Sequence, residues 1–195
     1  PLHEAASQGR LLALRTLLAQ GYSANIVTID HVTPLHEACL SGHVASVRLL
    51  INAGANVNAA TIDGVTPLYN SCASGSVGCM ELLLQNGAHT RSPHTHYPSA
   101  LHEACKRGNS QCVESLLANG ADPNYEVSHL GSPLYVSCLY QHTACSKILL
   151  HRVSPRSLCQ LCRLRIRKLL GQSRLTLLPL LPLPSRITHY LEHIG

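Results

Sequence analysis

The 195-residue chain contains no tryptophan and no phenylalanine, a single methionine and seven tyrosines, so aromatic side chains make up only 4% of it. A core must then be built from leucine, alanine, valine and isoleucine in small, regular layers, which suits a solenoid better than a compact enzyme. Charged residues are scarce too, at 13%. No apolar run reaches the roughly 18 residues that a membrane span requires, because the longest candidate, Leu175 to Leu183, is interrupted by Pro179 and Pro182. No secretory signal is visible at the start. A glycine-rich phosphate loop, an H-E-x-x-H helix, a G-x-S-x-G turn and paired carboxylates outside repeated positions are all missing. No catalytic centre, cofactor, metal or membrane contact is expected.

What the chain does contain is a beat. Pro1-Leu2-His3-Glu4 is followed by Thr33-Pro34-Leu35-His36, Thr66-Pro67-Leu68-Tyr69, Ser99-Ala100-Leu101-His102 and Ser132-Pro133-Leu134-Tyr135, with 33 residues from each signature to the next. Gly21, Gly54, Gly87 and Gly120 keep the same interval, and leucine pairs from Leu17-Leu18 to Leu149-Leu150 follow it with one slip. Within a unit, Thr33 is placed to cap a helix and Pro34 to occupy its first position, where a missing N–H costs nothing. Gly42 ends that helix. Val44, Val47, Leu50 and Ile51 mark a second, and Gly54 supplies the left-handed residue that stops it. One such pair cannot bury its apolar face alone, but stacked pairs can.

A 33-residue unit reading T-P-L-H-x-A resembles the ankyrin repeat, a turn followed by two helices. The resemblance implies an all-α ankyrin-repeat solenoid over residues 1–153, with about five repeats of which the first and last are incomplete. Because the chain opens inside a signature at Pro1, it reads as a fragment.

The repeat absorbs most of the residues that otherwise suggest chemistry. Cys39, Cys72, Cys105 and Cys138 share one repeat position, and Cys79, Cys112 and Cys145 share another, so they read as small buried core residues. Cys159 and Cys162 have C-x-x-C spacing without a second ligand pair at zinc-finger distance. The odd total of nine cysteines, with no signal, suggests free thiols in a reducing cytoplasm. His3, His36 and His102 are signature residues expected to brace neighbouring turns, and Glu4, Glu37 and Glu103, one residue on, read as framework. His94-Thr95-His96-Tyr97 lies between the third and fourth repeats and reads as an exposed recognition loop.

The period fails at Val153, where the fifth helix-ending glycine is due, and Ser154-Pro155 follow. Composition changes there as well. Residues after 150 carry +7 (8 basic, 1 acidic), whereas residues 1–150 carry −2 (7 basic, 9 acidic). A basic tail can contact nucleic acid. However, Ser157 to Leu170 is amphipathic, with Leu158, Leu161, Cys162, Ile166 and Leu169 on one stripe, and the tail offers only Tyr190 for stacking on bases.

Ser157-Leu158-x-x-x-Cys162-x-x-x-Ile166 resembles the elongin-binding box that opens a SOCS box, and Leu181-Pro182-Leu183-Pro184 resembles the element by which SOCS boxes favour cullin-5. Together with the repeats, the chain resembles the ankyrin-repeat and SOCS-box family. That resemblance implies a small three-helix SOCS box over 154–195 and a non-catalytic substrate receptor of a ubiquitin ligase. Its implied partners are elongin C with elongin B, cullin-5 with its RING protein, and an unidentified substrate protein, with neither nucleic acid nor membrane among them. Leu158, Leu161, Cys162 and Ile166 would meet elongin C, and Leu181, Pro182, Leu183 and Pro184 the cullin. Substrate contacts are expected at the finger residues Ile29, Asp30, His31, Ile62, Asp63, His94, His96, Tyr97, His129 and Leu130. A plain ankyrin adapter whose tail helix merely caps the last repeat, or a basic-tail nucleic-acid binder, stand as alternatives.

Overall fold

The computed structural model describes residues 1–92, 94 and 97–153. The chain divides into two compact units, Pro1–Arg152 and Val153–Gly195, and the described residues fall almost wholly in the first.

Ten helices occupy the described residues in five pairs: α1 (Leu2–Ser7) with α2 (Leu11–Ala19), α3 (Pro34–Leu40) with α4 (Val44–Asn52), α5 (Pro67–Ser74) with α6 (Val77–Gln85), α7 (Ala100–Arg107) with α8 (Ser110–Ala118), and α9 (Pro133–Leu139) with α10 (Thr143–Leu150). Each first helix packs on the first helix of the next pair, and each second helix on the next second helix, so two layers run along the array. Among the described residues no strand forms, and a single bridge joins Val127 to Gly131 in the fourth finger.

The helices begin where the sequence places capping side chains. The backbone N–H of His36 donates to Thr33 Oγ1, that of Tyr69 to Thr66 Oγ1 and that of Tyr135 to Ser132 Oγ, satisfying N–H groups that have no intrahelical acceptor. Leu35, Val47 and Leu50 are fully buried, as are Leu68, Met80 and Leu83 in the next pair and Leu101, Val113 and Leu116 in the one after. Each such leucine contributes roughly 1.5–3 kcal/mol. Between the helices of a pair the chain turns through a left-handed residue, as at Gly42 (φ 74) and Gly108 (φ 74), and in the last pair Gln141 adopts the same conformation (φ 61).

Junctions between repeats are made by side chains reaching for backbone. His3 Nε2 lies 2.9 Å from the Val32 carbonyl, His36 Nε2 3.0 Å from that of Val65, and His102 Nε2 3.0 Å from that of Gly131, which is the bracing expected of the signature rings. At the other edge of the fingers, Asn25 brackets Gly54 O and Asn56 N, and Asn58 brackets Gly87 O and His89 N. The third residue of this series is Arg91, which instead reaches Asp122 at 3.4 Å.

The thiols mostly follow expectation. Cys39, Cys72, Cys105, Cys79, Cys112 and Cys145 are buried. Burial pushes the Cys39 and Cys105 thiols up, which keeps them neutral and unreactive. Cys138 departs from the reading as core: it is exposed, with its sulfur 3.7 Å from Ser146 Oγ. In the three preceding repeats a further helix pair covers this position, and among the described residues no pair follows α10.

Candidate functional site

The fingers are short turns whose tips project beyond the hydrogen-bonded base. In the first, Thr28 N donates to Val32 O and His31 N to Thr28 O; in the second, Thr61 N donates to Val65 O and Gly64 N to Thr61 O. The tips sit against one another, since Ile62 N donates to Asp30 O at 3.2 Å. Closing the turn this way leaves the tip side chains to solvent. Ile29 is 92% exposed and Ile62 58%, and Asp30, His31, Asp63, His94 and His129 are exposed as well. His31 holds a left-handed backbone (φ 60) where the second finger has Gly64 (φ 82). The tips thus present one exposed isoleucine each, next to a carboxylate, Ile29 beside Asp30 and Ile62 beside Asp63.

Two expected finger residues sit deeper. Leu130 is half-buried, and Tyr97 is half-buried with its ring edge-on to Tyr69, centroids 5.6 Å apart. His96 lies outside the described residues, as do Leu158, Leu161, Cys162, Ile166, Leu181, Pro182, Leu183 and Pro184.

The ring contact at Tyr97 leads to a cluster that the repeat pattern concealed. Tyr69 OH donates to Glu103 Oε2 at 2.8 Å, and Arg107 Nε donates to Glu103 Oε1 at 2.8 Å. Both carboxylate oxygens are therefore engaged. The Glu103 side chain is 5% exposed, whereas that of Arg107 is 56% exposed. Burial, with the hydrogen bond to Glu103 next, raises the Tyr69 hydroxyl, which remains a donor at any ordinary pH. The bond to Glu103 likewise raises the Arg107 guanidinium. Glu103 is thus framework of a more engaged kind than its equivalents, bracing α5 to α7: Glu4 is exposed, Glu37 half-buried, and neither belongs to an ion pair among the described residues. Two sequence signals mark the difference. Tyr69 replaces a signature histidine one repeat earlier, and Arg107 stands at i+4, within reach on the same helix face.

His102 beside this cluster is buried, and its Nδ1 lies 3.3 Å from the Ser99 backbone N. An N–H can only donate, so Nδ1 accepts and Nε2 carries the proton given to the Gly131 carbonyl. Burial pushes the ring down to about 4, while the Gly131 bond opposes that shift. No three His, Cys, Asp or Glu side chains gather as a metal site among the described residues. No helix among them is long and apolar enough to cross a membrane.

Helix pairs at a 33-residue beat, braced by signature histidines, define an ankyrin-repeat solenoid, and the family model for ankyrin repeats matches residues 2–94 and 90–157. The SOCS-box model matches residues 154–192. With both in one order, the chain belongs to the family of ankyrin-repeat and SOCS-box proteins. Ankyrin repeat and SOCS box protein 5 of Bos taurus is 88% identical over 33 residues, which span 17% of this chain and 10% of that protein. Ankyrin repeat and SOCS box protein 11 of Homo sapiens is 70% identical over a stretch of the same length. The matched stretch is thus about a tenth of either relative's length. The crystal structure of the human ASB11 ankyrin repeat domain superposes with a TM-score of 0.75 at 53% identity, covering 79% of this chain and 69% of that one.

Proposed function

We propose that the chain is a non-catalytic substrate receptor of a cullin–RING ubiquitin ligase, with residues 1–153 holding the protein to be ubiquitinated and residues 154–195 recruiting the ligase. The observation that carries this reading is the succession, in one chain, of an ankyrin match ending at 157 and a SOCS-box match over 154–192. In it, Leu158 anchors the tail helix in an apolar pocket of elongin C, with Leu161, Cys162 and Ile166 extending the stripe, and elongin B joins through elongin C. Burying one leucine is worth roughly 1.5–3 kcal/mol, and such anchors commonly dominate an interface. Leu181, Pro182, Leu183 and Pro184 meet cullin-5 with its RING protein, on a segment whose prolines lower the ordering cost of binding. The substrate meets the fingers, where Ile29 and Ile62 offer apolar contact beside Asp30 and Asp63. The reading places the protein in the cytoplasm, where the buried thiols stay reduced.

Co-expression with elongins B and C tests the reading. The wild type is expected to co-purify with both, and Leu158→Ala/Cys162→Ala to lose them while the array remains folded. Equal recovery with both forms, or none with either, would leave only an ankyrin adapter. Replacing Leu181 and Pro182 is expected to spare the elongin complex and weaken capture of cullin-5 in a pull-down.

A further inference from the structure

Along the row of first helices α1, α3, α5, α7 and α9, positive charge occurs at one place: Lys106 and Arg107, at the end of α7. Lys106 is exposed. Arg107 is exposed yet held, because its Nε is tied at 2.8 Å to a Glu103 that Tyr69 fixes from the preceding first helix. Desolvating a carboxylate to the degree of Glu103 costs free energy that one solvent-facing arginine does not fully return, so stability is a poor reason for the arrangement. What the arrangement supplies is a guanidinium with a fixed stem. Its two Nη groups have no hydrogen-bond partner among the described residues. A planar fork whose orientation is already set loses little entropy on binding a carboxylate in bidentate fashion.

The surroundings narrow the occupant. One repeat on, the positions equivalent to Lys106 and Arg107 are Leu139 and Tyr140, exposed at 45% and 44%, on and at the end of the helix packed next to α7. Two exposed cations therefore border two exposed apolar side chains.

We propose that the end of α7 is an anchoring point for an Asp or Glu side chain of a partner polypeptide. The carboxylate pairs with Arg107 and Lys106, and an adjacent apolar or aromatic residue of the same segment lies against Leu139 and Tyr140. This deepens the substrate-arm reading above by naming the chemistry that the first-helix row selects. It makes Arg107 a direct contact, and Tyr69 and Glu103 positioning residues.

The test is an NMR titration of the full-length ¹⁵N-labelled chain with the tripeptide acetyl-Leu-Glu-Tyr-amide, against its Gln and phosphoserine counterparts. Saturable shifts are expected at the Arg107 Nε–H and at the amides of Lys106, Leu139 and Tyr140. Binding of the Gln peptide should be at least about fivefold weaker, the loss of one charge-assisted contact. Arg107→Gln should weaken the Glu peptide by a similar factor. Tyr69→Phe, which keeps the ring against Tyr97 but frees Glu103, should weaken it by about twofold to threefold while leaving the Gln peptide unchanged. Equal affinity for the Glu and Gln peptides, or no shift at Arg107, would overturn the proposal, and a clear preference for phosphoserine would overturn its assignment to a carboxylate. Failure here with intact elongin recovery spares the ligase reading, and lost elongin recovery with an intact titration spares this one.

Discussion

Helices α3 and α7 contain the same five residues, Leu-His-Glu-Ala-Cys, at 35–39 and 101–105, and put them to different use. In both, the leucine and cysteine are fully buried and the histidine bonds to a carbonyl of the next finger. The glutamate differs. Glu37 is half-buried without an ion pair among the described residues, whereas Glu103 is buried between Tyr69 and Arg107. The cause lies outside the shared pentapeptide: the preceding repeat presents Tyr69 to α7 where it presents His3 to α3, and the residue at i+4 is Arg107 rather than Ser41. Identical local sequence secures the helix and its core face; the neighbours decide how its glutamate is engaged.

The sharpest way to break this comparison is to truncate the two glutamates. Glu103→Ala should lower stability by about 2 kcal/mol, chiefly because the half-buried Tyr69 hydroxyl loses its acceptor and a void is left, the exposed Arg107 pair itself returning little, while Glu37→Ala should stay within about 0.5 kcal/mol. Urea denaturation of both variants measures the gap, and equal losses would make the Glu103 cluster incidental.

An effect of similar size separates the histidines from their unfolded state. Burial lowers both His36 and His102, the latter to about 4. The unfolded chain therefore takes up these protons first as pH falls. The stabilisation is complete above the unfolded value near 6.5 and is lost progressively as pH drops towards the folded value. For His102 alone the loss at pH 5 should be about 2 kcal/mol. Unfolding measured at pH 7.5 and 5.0 should show it. In His102→Tyr, which borrows the residue found at 69 and 135, the pH difference should shrink by that amount; an unchanged difference would assign the acid sensitivity elsewhere.

The smallest expected change concerns the second helices of the same two repeats. Ser46 in α4 stands where α8 has Cys112, and its buried hydroxyl has no hydrogen-bond partner among the described residues. Ser46→Ala should raise stability by about 1 kcal/mol, seen as a higher thermal midpoint. A decrease would mean that the hydroxyl is satisfied in solution.

Much of the array was legible in the sequence because its determinants recur. Capping Thr33, Thr66 and Ser132, the buried Leu35, Leu68, Leu101 and Leu134, and the ring braces all follow from the 33-residue register. The candidate site was legible only in part. Ile29 and Ile62 announce themselves as apolar residues at turn tips, whereas the Glu103 cluster depends on a tyrosine 34 residues away, and periodicity groups that glutamate with the less buried Glu4 and Glu37. Cys138 misled for the opposite reason, since its repeat position implies a covering neighbour that the described array does not continue to provide.

The ring braces also differ in kind along the solenoid. Fingers one, two and four are each pinned by an imidazole from the preceding first helix, through His3, His36 and His102. The third is met by Tyr69, which touches Tyr97 through its ring edge and commits its hydroxyl to Glu103 instead of to a finger carbonyl. Three joints therefore share one kind of rivet, and the third uses another. The third joint thus trades a ring-to-carbonyl bond for a hydroxyl-to-carboxylate one, tying two first helices together through a charge where the other joints tie a helix to a finger.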